Sequence, residues 1–199
     1  MTQKNNLFIF DWDDTLINTT QLFKNNMDMK MKNKLLQIDN NIIQLLKTSM
    51  KYGDVIIISN AEYSWINKSS NLYFPKTKRF IENNNITILS APHVYRSFMK
   101  IKDKEHIKWK HLTICYYLSS KQKYDKLISI GDSDVEKTAC LNLKDGMMYF
   151  NYETPKDIIT LKMYYNPSSS KLIIQQNLIL NLIKSLSINN NFYNLIINE

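Results

Sequence analysis

The sequence predicts an α/β fold built on a central parallel sheet, and three observations carry that expectation. Asp54-Val55-Ile56-Ile57-Ile58 is an unbroken, mostly β-branched run of the kind found in strands covered on both faces. Short apolar runs alternate along the chain with segments of helical period, which implies right-handed crossovers between parallel strands. The runs at Phe8, Val55 and Leu127 each end abruptly in polar residues, as strands do when their carboxyl ends border a ligand crevice.

The first strand is Phe8-Ile9-Phe10, which runs into Asp11-Trp12-Asp13-Asp14-Thr15-Leu16. In extended chain, Asp11 and Asp13 point the same way, toward one spot beyond the strand tip. Carboxylates converging there repel unless a cation lies between them or their tasks differ. Phosphoryl transfer through an aspartyl-phosphate meets both conditions, with Asp11 as nucleophile, Asp13 as general acid and base, and Mg2+ screening the charge. A surface turn closing the strand is the plainer alternative.

Residues 17–34 are polar and rich in Asn, Lys and Met, and read as a loop or irregular helix over the strand tip, with Met27, Met29 and Met31 as packing filler. Asp39 is placed to cap a crossover helix whose apolar positions are Ile42, Leu45, Leu46 and Met50, with Gly53 as its stop. After the second strand come Ser59-Asn60-Ala61, then two short helices, around Tyr63 to Asn71 and after Pro75. Ile86 to Leu89 makes a third strand, and beyond its tip His93 and Arg96 are candidate substrate contacts.

A further helix is expected to begin near Trp109 or Lys110 and to run through Leu112, Cys115 and Leu118. The fourth strand, Lys126 to Ile130, ends in Gly131-Asp132-Ser133-Asp134-Val135-Glu136. Asp145-Gly146 reads as a turn into a fifth strand, Met147 to Phe150, and Ile158 to Tyr165 as a sixth at the sheet edge. Ser168 to Ser170 caps a closing helix striped by Leu172, Ile179, Leu182, Ile183 and Leu186, and the Asn-rich stretch from Asn189 to Glu199 is expected to fray.

Asp-x-Asp-x-Thr after an apolar strand, a Ser at the second strand end, a Lys before the last catalytic strand and Gly-Asp with an acid four positions on together resemble the haloacid dehalogenase (HAD) superfamily of phosphohydrolases. Phe-Asp-Trp-Asp-Asp-Thr-Leu, Ser-Asn-Ala, Trp109-Lys110 and Ile-Gly-Asp-Ser are also similar to a poorly characterised HAD group of protists and large DNA viruses. The resemblance spans roughly Leu7 to Phe150. It implies a three-layer Rossmann-like HAD fold with minimal or no cap, in which the Asp11 strand lies between those ending in Ser59 and Asp132. The length of 199 residues, with no linker evident, fits a single domain over 1–199, with a catalytic core at about 5–150 and an edge strand and helix at about 156–188. Thr15, Ser59 and Asn60 would bind the phosphoryl group. Lys110, with Lys108 second, would neutralise Asp11 and the phosphate. Asp11, Asp13, Asp132 and Glu136 make up the expected Mg2+ set, Asp134 being the alternative to Glu136. The expected activity is hydrolysis of a phosphate monoester. A catalytically silent relative and a basic nucleic-acid-binding protein are the alternatives.

Composition narrows the rest. Hydrophobic residues make up 44% of 199 and charged residues 22%, an ordinary globular balance. The three glycines leave none for a P-loop or dinucleotide cradle. Cys115 and Cys140 form neither a zinc pattern nor a disulfide framework, so a reduced, intracellular, cytoplasmic protein is expected. Leu7 to Phe10 is too short for a signal-peptide core, and Leu172 to Ile188 is broken by Gln, Asn and Lys, so no membrane partner is expected. The net charge of +8 admits nucleic acid as a partner, and the expected phosphorylated substrate is either a small molecule or a macromolecule.

Overall fold

The computed structural model describes residues 5–24, 28–98, 106–120, 123–189 and 194–197. Six parallel strands form one sheet in the order β3-β2-β1-β4-β5-β6. They are β1 (Asn6–Phe10), β2 (Asp54–Ser59), β3 (Thr87–Ser90), β4 (Lys126–Gly131), β5 (Asp157–Lys162) and β6 (Asn194–Ile196). The helices are α1 (Thr19–Lys24), α2 (Met29–Ser49), α3 (Tyr63–Tyr73), α4 (Pro75–Asn83), α5 (Ala91–Phe98), α6 (His106–Ser119), α7 (Asp134–Leu141) and α8 (Ser169–Ile188). The strand carrying Asp11 is therefore flanked by those ending in Ser59 and Asp132.

The two-residue alternation of extended chain divides the interior into two cores, one on each face of the sheet. Phe8, Phe10, Ile57 and Ile130 pack with α2 and α8 through Ile42, Leu46, Ile179 and Ile183. Leu7, Ile9, Ile56 and Leu127 face the opposite way, against Ile114, Cys115 and Leu118 of α6 and Ala139 and Cys140 of α7. This three-layer α/β arrangement is Rossmann-like. Met31 enters the first core, Met29 is exposed, and Met27 lies outside the described residues.

The structure departs from the sequence reading in several places. The crossover helix starts at Met29, capped by Asp28, whose side chain accepts from the Met31 amide. Asp39 sits mid-helix and is buried. It does cap a helix, but a distant one: its carboxylate accepts from the amides of Lys76 and Thr77 in the first turn of α4, at 3.2 and 2.8 Å. Phe74, the residue preceding α4, offers no side-chain cap, which explains why the acid is recruited from α2.

Met147 to Phe150 is not a strand. Leu143–Met148 forms a 3-10 helix, and Met147, Met148 and Tyr149 are exposed. Gly146 therefore marks no strand boundary; a Cβ added there would collide with Cys115 Sγ. The stretch expected at the sheet edge is β5, an interior strand. The edge is β6, from the tail expected to fray, whose Asn194 to Ile196 lie beside Thr160 to Lys162. Helix α6 starts at His106, a turn before the expected position. No helix among the described residues is long and apolar enough to cross a membrane.

Candidate active site

The site forms at the carboxyl ends of β1, β2 and β4. One residue past β1, the Asp11 amide still donates to Ile130 O on β4 at 2.9 Å, which holds Asp11 at the sheet's carboxyl edge. Trp12 turns back into the core, its indole N–H on Ser69 Oγ at 3.0 Å. Asp13 returns to the site, so the alternation expected of extended chain carries both carboxylates to one side. Asp13 Oδ2 accepts from Ser59 Oγ at 3.1 Å, and Oδ1 accepts from Trp65 Nε1 at 2.8 Å and from Thr19 Oγ1. Three donors from three elements thus fix its orientation.

Asp14 ends the extended run. Its φ of 51° lies in the left-handed region, which Asp tolerates, and its carboxylate accepts from the Thr20 amide and hydroxyl at the start of α1. Thr15 is buried, and its hydroxyl finds no partner among the described residues. Asn60 Oδ1 is likewise buried without a partner. Ser59 is buried, and its Oγ also accepts from the Ala61 amide at 2.9 Å.

Lys110 closes the site from α6. It is 3% exposed, with Nζ 2.6 Å from Asp11 Oδ1 and also bonded to Glu136 Oε1. Lys108 is exposed, as expected of a side chain two positions and about 200° away around the same helix. The two lysines thus lie on different faces of α6, and packing turns Lys110 inward.

Glu136 uses its other oxygen at home. Its Oε2 accepts from the Ser133 amide and hydroxyl, forming a capping box at the start of α7. Asp134 points outward to Lys162 at 2.8 Å and is largely exposed. Asp132 is buried beside Glu136. Gly131 allows that proximity, because an added Cβ would run into the Glu136 side chain. It does so by its lack of bulk and not by an unusual turn, since no glycine among the described residues has positive φ.

The cluster carries more negative than positive charge. Burial, with Glu136, Asp13 and Asp132 nearby, raises the Asp11 carboxyl well above its ordinary range, against the pull of Lys110. Burial pushes Asp132 to about 7, helped by Glu136 and Asp14. Burial alone would lower Lys110, but Asp11 and Glu136 more than reverse this and hold its ammonium firmly charged. Burial acts upward on Glu136 too, and Lys110 and Ser133 outweigh it, so Glu136 lies below its ordinary value. One ammonium, bonded to Asp11 and Glu136, therefore stands in a site where Asp13 and Asp132 add further negative charge around Asp11.

Among the described residues, no three His, Cys, Asp or Glu side chains converge as a ready metal-ligand set. Arg96 and His93, the candidate substrate contacts, are each engaged elsewhere: Arg96 makes a two-pronged bond to Glu62 at 2.8 Å, and His93 meets the Tyr63 ring edge-on. The sequence reading missed Trp65 and Thr19, the two further donors to Asp13. Trp65 carried one weak signal, a large aromatic lying beside, and not within, the buried face formed by Ile66, Ser69 and Ser70. Compared with known proteins, the chain matches no family model, no curated protein and no solved structure.

Proposed function

We propose that the protein is a magnesium-dependent phosphatase of HAD type, hydrolysing a phosphate monoester through an aspartyl-phosphate on Asp11. One observation carries this reading: Lys110, 99 positions away in the chain, pairs with Asp11 at the carboxyl end of β1, with Asp13 and Asp132 near enough to act on the Asp11 charge. The strand order, with the Asp11 strand between those ending in Ser59 and Asp132, also supports this reading.

The donor set fits magnesium. Mg2+ is commonly held by one or two carboxylates, waters and substrate phosphate and not by an all-protein cage, so a three-carboxylate cluster is not required. Asp11 and Asp132 are buried carboxylates in a surplus of negative charge, and both would hold the ion. Asp13 and Glu136 have their oxygens engaged by other side chains and would take supporting parts. Once bound, the ion would offset this surplus and the charge on the phosphoryl oxygens.

In the first step an Asp11 oxygen attacks phosphorus, the ester P–O bond breaks, and Asp13 in its acid form protonates the departing alkoxide. Lys110 and the Thr15 hydroxyl, which has no partner among the described residues, stabilise the phosphoryl oxygens, while Ser59 holds Asp13 in place. In the second step Asp13 takes a proton from water as the water attacks phosphorus, and the bond to Asp11 breaks to release inorganic phosphate. A site with little or no cap would suit a large phosphorylated substrate, a phosphoprotein or a nucleic-acid end, and the basic balance favours the nucleic-acid end.

Hydrolysis of a generic aryl phosphate with and without Mg2+ tests the reading. Turnover should require the ion and vanish in Asp11→Asn. Salt-sensitive binding of DNA with no hydrolysis of any ester would replace this reading with that of a basic nucleic-acid-binding protein.

A further inference from the structure

Building on the phosphatase reading, we propose that the substrate is a nucleoside phosphate whose base stacks on Phe23. The group that protonates the leaving oxygen marks where the leaving group lies, so the surroundings of Asp13 are the substrate's surroundings. Those surroundings are aromatic. The Trp65 indole bonds Asp13 Oδ1 through its N–H, and its ring stacks on Phe23 with centroids 4.9 Å apart and planes 26° from parallel.

Phe23 is 73% exposed. Helix α1 reaches the first core through Leu22 and is tied down by Thr20, which bonds Asp14 and Asn166. Phe23 covers one ring face with Trp65 and keeps most of its surface open, an arrangement that suits a flat ligand on the other face. The Thr19 and Ser59 hydroxyls nearest the leaving group are already spent on Asp13, which leaves them poorly placed to read the hydroxyls of a bare sugar.

Spacing selects among ring-bearing esters. The free face of Phe23 lies one ring beyond Trp65, so a ring seated there is set off from the ester oxygen. A base carried on a pentose has that spacer, while an aryl group bonded directly to the ester oxygen does not. The net charge of +8 suits an anionic ligand, free nucleotide or nucleic-acid terminus. Stacking tolerates any base, so weak base preference is expected.

The test compares kcat/KM for adenosine 5′-monophosphate and ribose 5-phosphate, which share the phosphorylated ribose and differ at its anomeric carbon, a base against a hydroxyl. Wild-type protein should favour the nucleotide. Phe23→Ala should reduce that preference about tenfold, the scale of one base–aromatic stack, and Phe23→Tyr should retain it. Equal use of both esters by the wild type, or a preference untouched by Phe23→Ala, overturns the proposal and leaves the phosphatase reading intact. Calorimetric titration of Asp11→Asn protein with both compounds separates the two ideas further. Nucleotide binding that weakens in the Phe23→Ala double variant, without hydrolysis in the wild type, keeps the stacking site and removes the phosphatase. Neither binding nor hydrolysis removes both. A 5′-phosphorylated oligothymidine measured alongside shows whether a strand terminus or the free nucleotide is the better source.

Discussion

Lys110 Nζ lies 2.6 Å from Asp11 Oδ1, joining residues 99 positions apart in the chain inside a site where both are almost wholly buried. The ammonium is shared with Glu136, so it supports two carboxylates at once. Replacing it with Met leaves buried negative charge without its counterion. Lys110→Met should lose about 3 to 5 kcal/mol of stability at pH 8, read as a fall in the urea midpoint. The loss should shrink at pH 5, where the Asp11 carboxyl can accept a proton. An equal loss at both pH values would show that packing, and not charge, sets the cost.

Asp132 gives a pH dependence with a definite sign. Its folded value of about 7 stands above an ordinary carboxyl near 3.8, so between these values the folded state keeps a proton that the unfolded chain has released. In metal-free protein the stability that Asp132 contributes is full below pH 4 and is lost as the pH rises toward and through 7. A divalent cation favours the ionised carboxylate and should reverse this. Mg2+ should therefore raise Tm more at pH 7.5 than at pH 5.5, and Asp132→Asn should abolish the difference. A thermal shift independent of pH would speak against a Mg2+ site at this carboxylate.

Gly131 is a packing requirement of the site. A methyl group there meets the Glu136 side chain, which must then leave either Lys110 or its capping box. Gly131→Ala should cost about 1 to 3 kcal/mol and lower kcat for an aryl phosphate. Restored stability in the Gly131→Ala, Glu136→Ala double variant, relative to the sum of the two single changes, would confirm that the collision is the cause.

Asp39 should matter to the fold and not to the chemistry. It supplies the first turn of α4 with the acceptor that Phe74 lacks. Asp39→Ala should cost about 2 kcal/mol in urea unfolding, the scale of a lost helix cap with a buried amide left unpaired, with Asp39→Asn costing less. Lower kcat in the Ala variant at temperatures where it remains folded would contradict this assignment.

Much of the site was legible because local rules place its parts. Alternation along β1 sends Asp11 and Asp13 one way and Trp12 the other, and the abrupt end of each apolar run puts Ser59 and Asp132 at carboxyl ends. The capping box of Ser133 and Glu136 is also a local pattern, Ser followed three residues later by Glu. The mistaken strand at Met147 to Phe150 shows where such rules stop. Its apolar residues resemble a strand, yet Gly146 packs against Cys115 and Tyr152 and the chain closes into a 3-10 helix.

The sequence by itself determined the α/β class, the parallel strands and the acids at their tips, because period and strand ends are properties of neighbouring residues. Only the tertiary structure decided that Lys110 and not Lys108 faces Asp11, that Trp65 and Thr19 orient Asp13, that Asp39 caps α4, and that β6 covers β5. Each of these is a pairing between distant segments. Which partner a buried charge, an open helix end or a free strand edge acquires depends on what the packed sheet and its helices bring within a few ångströms.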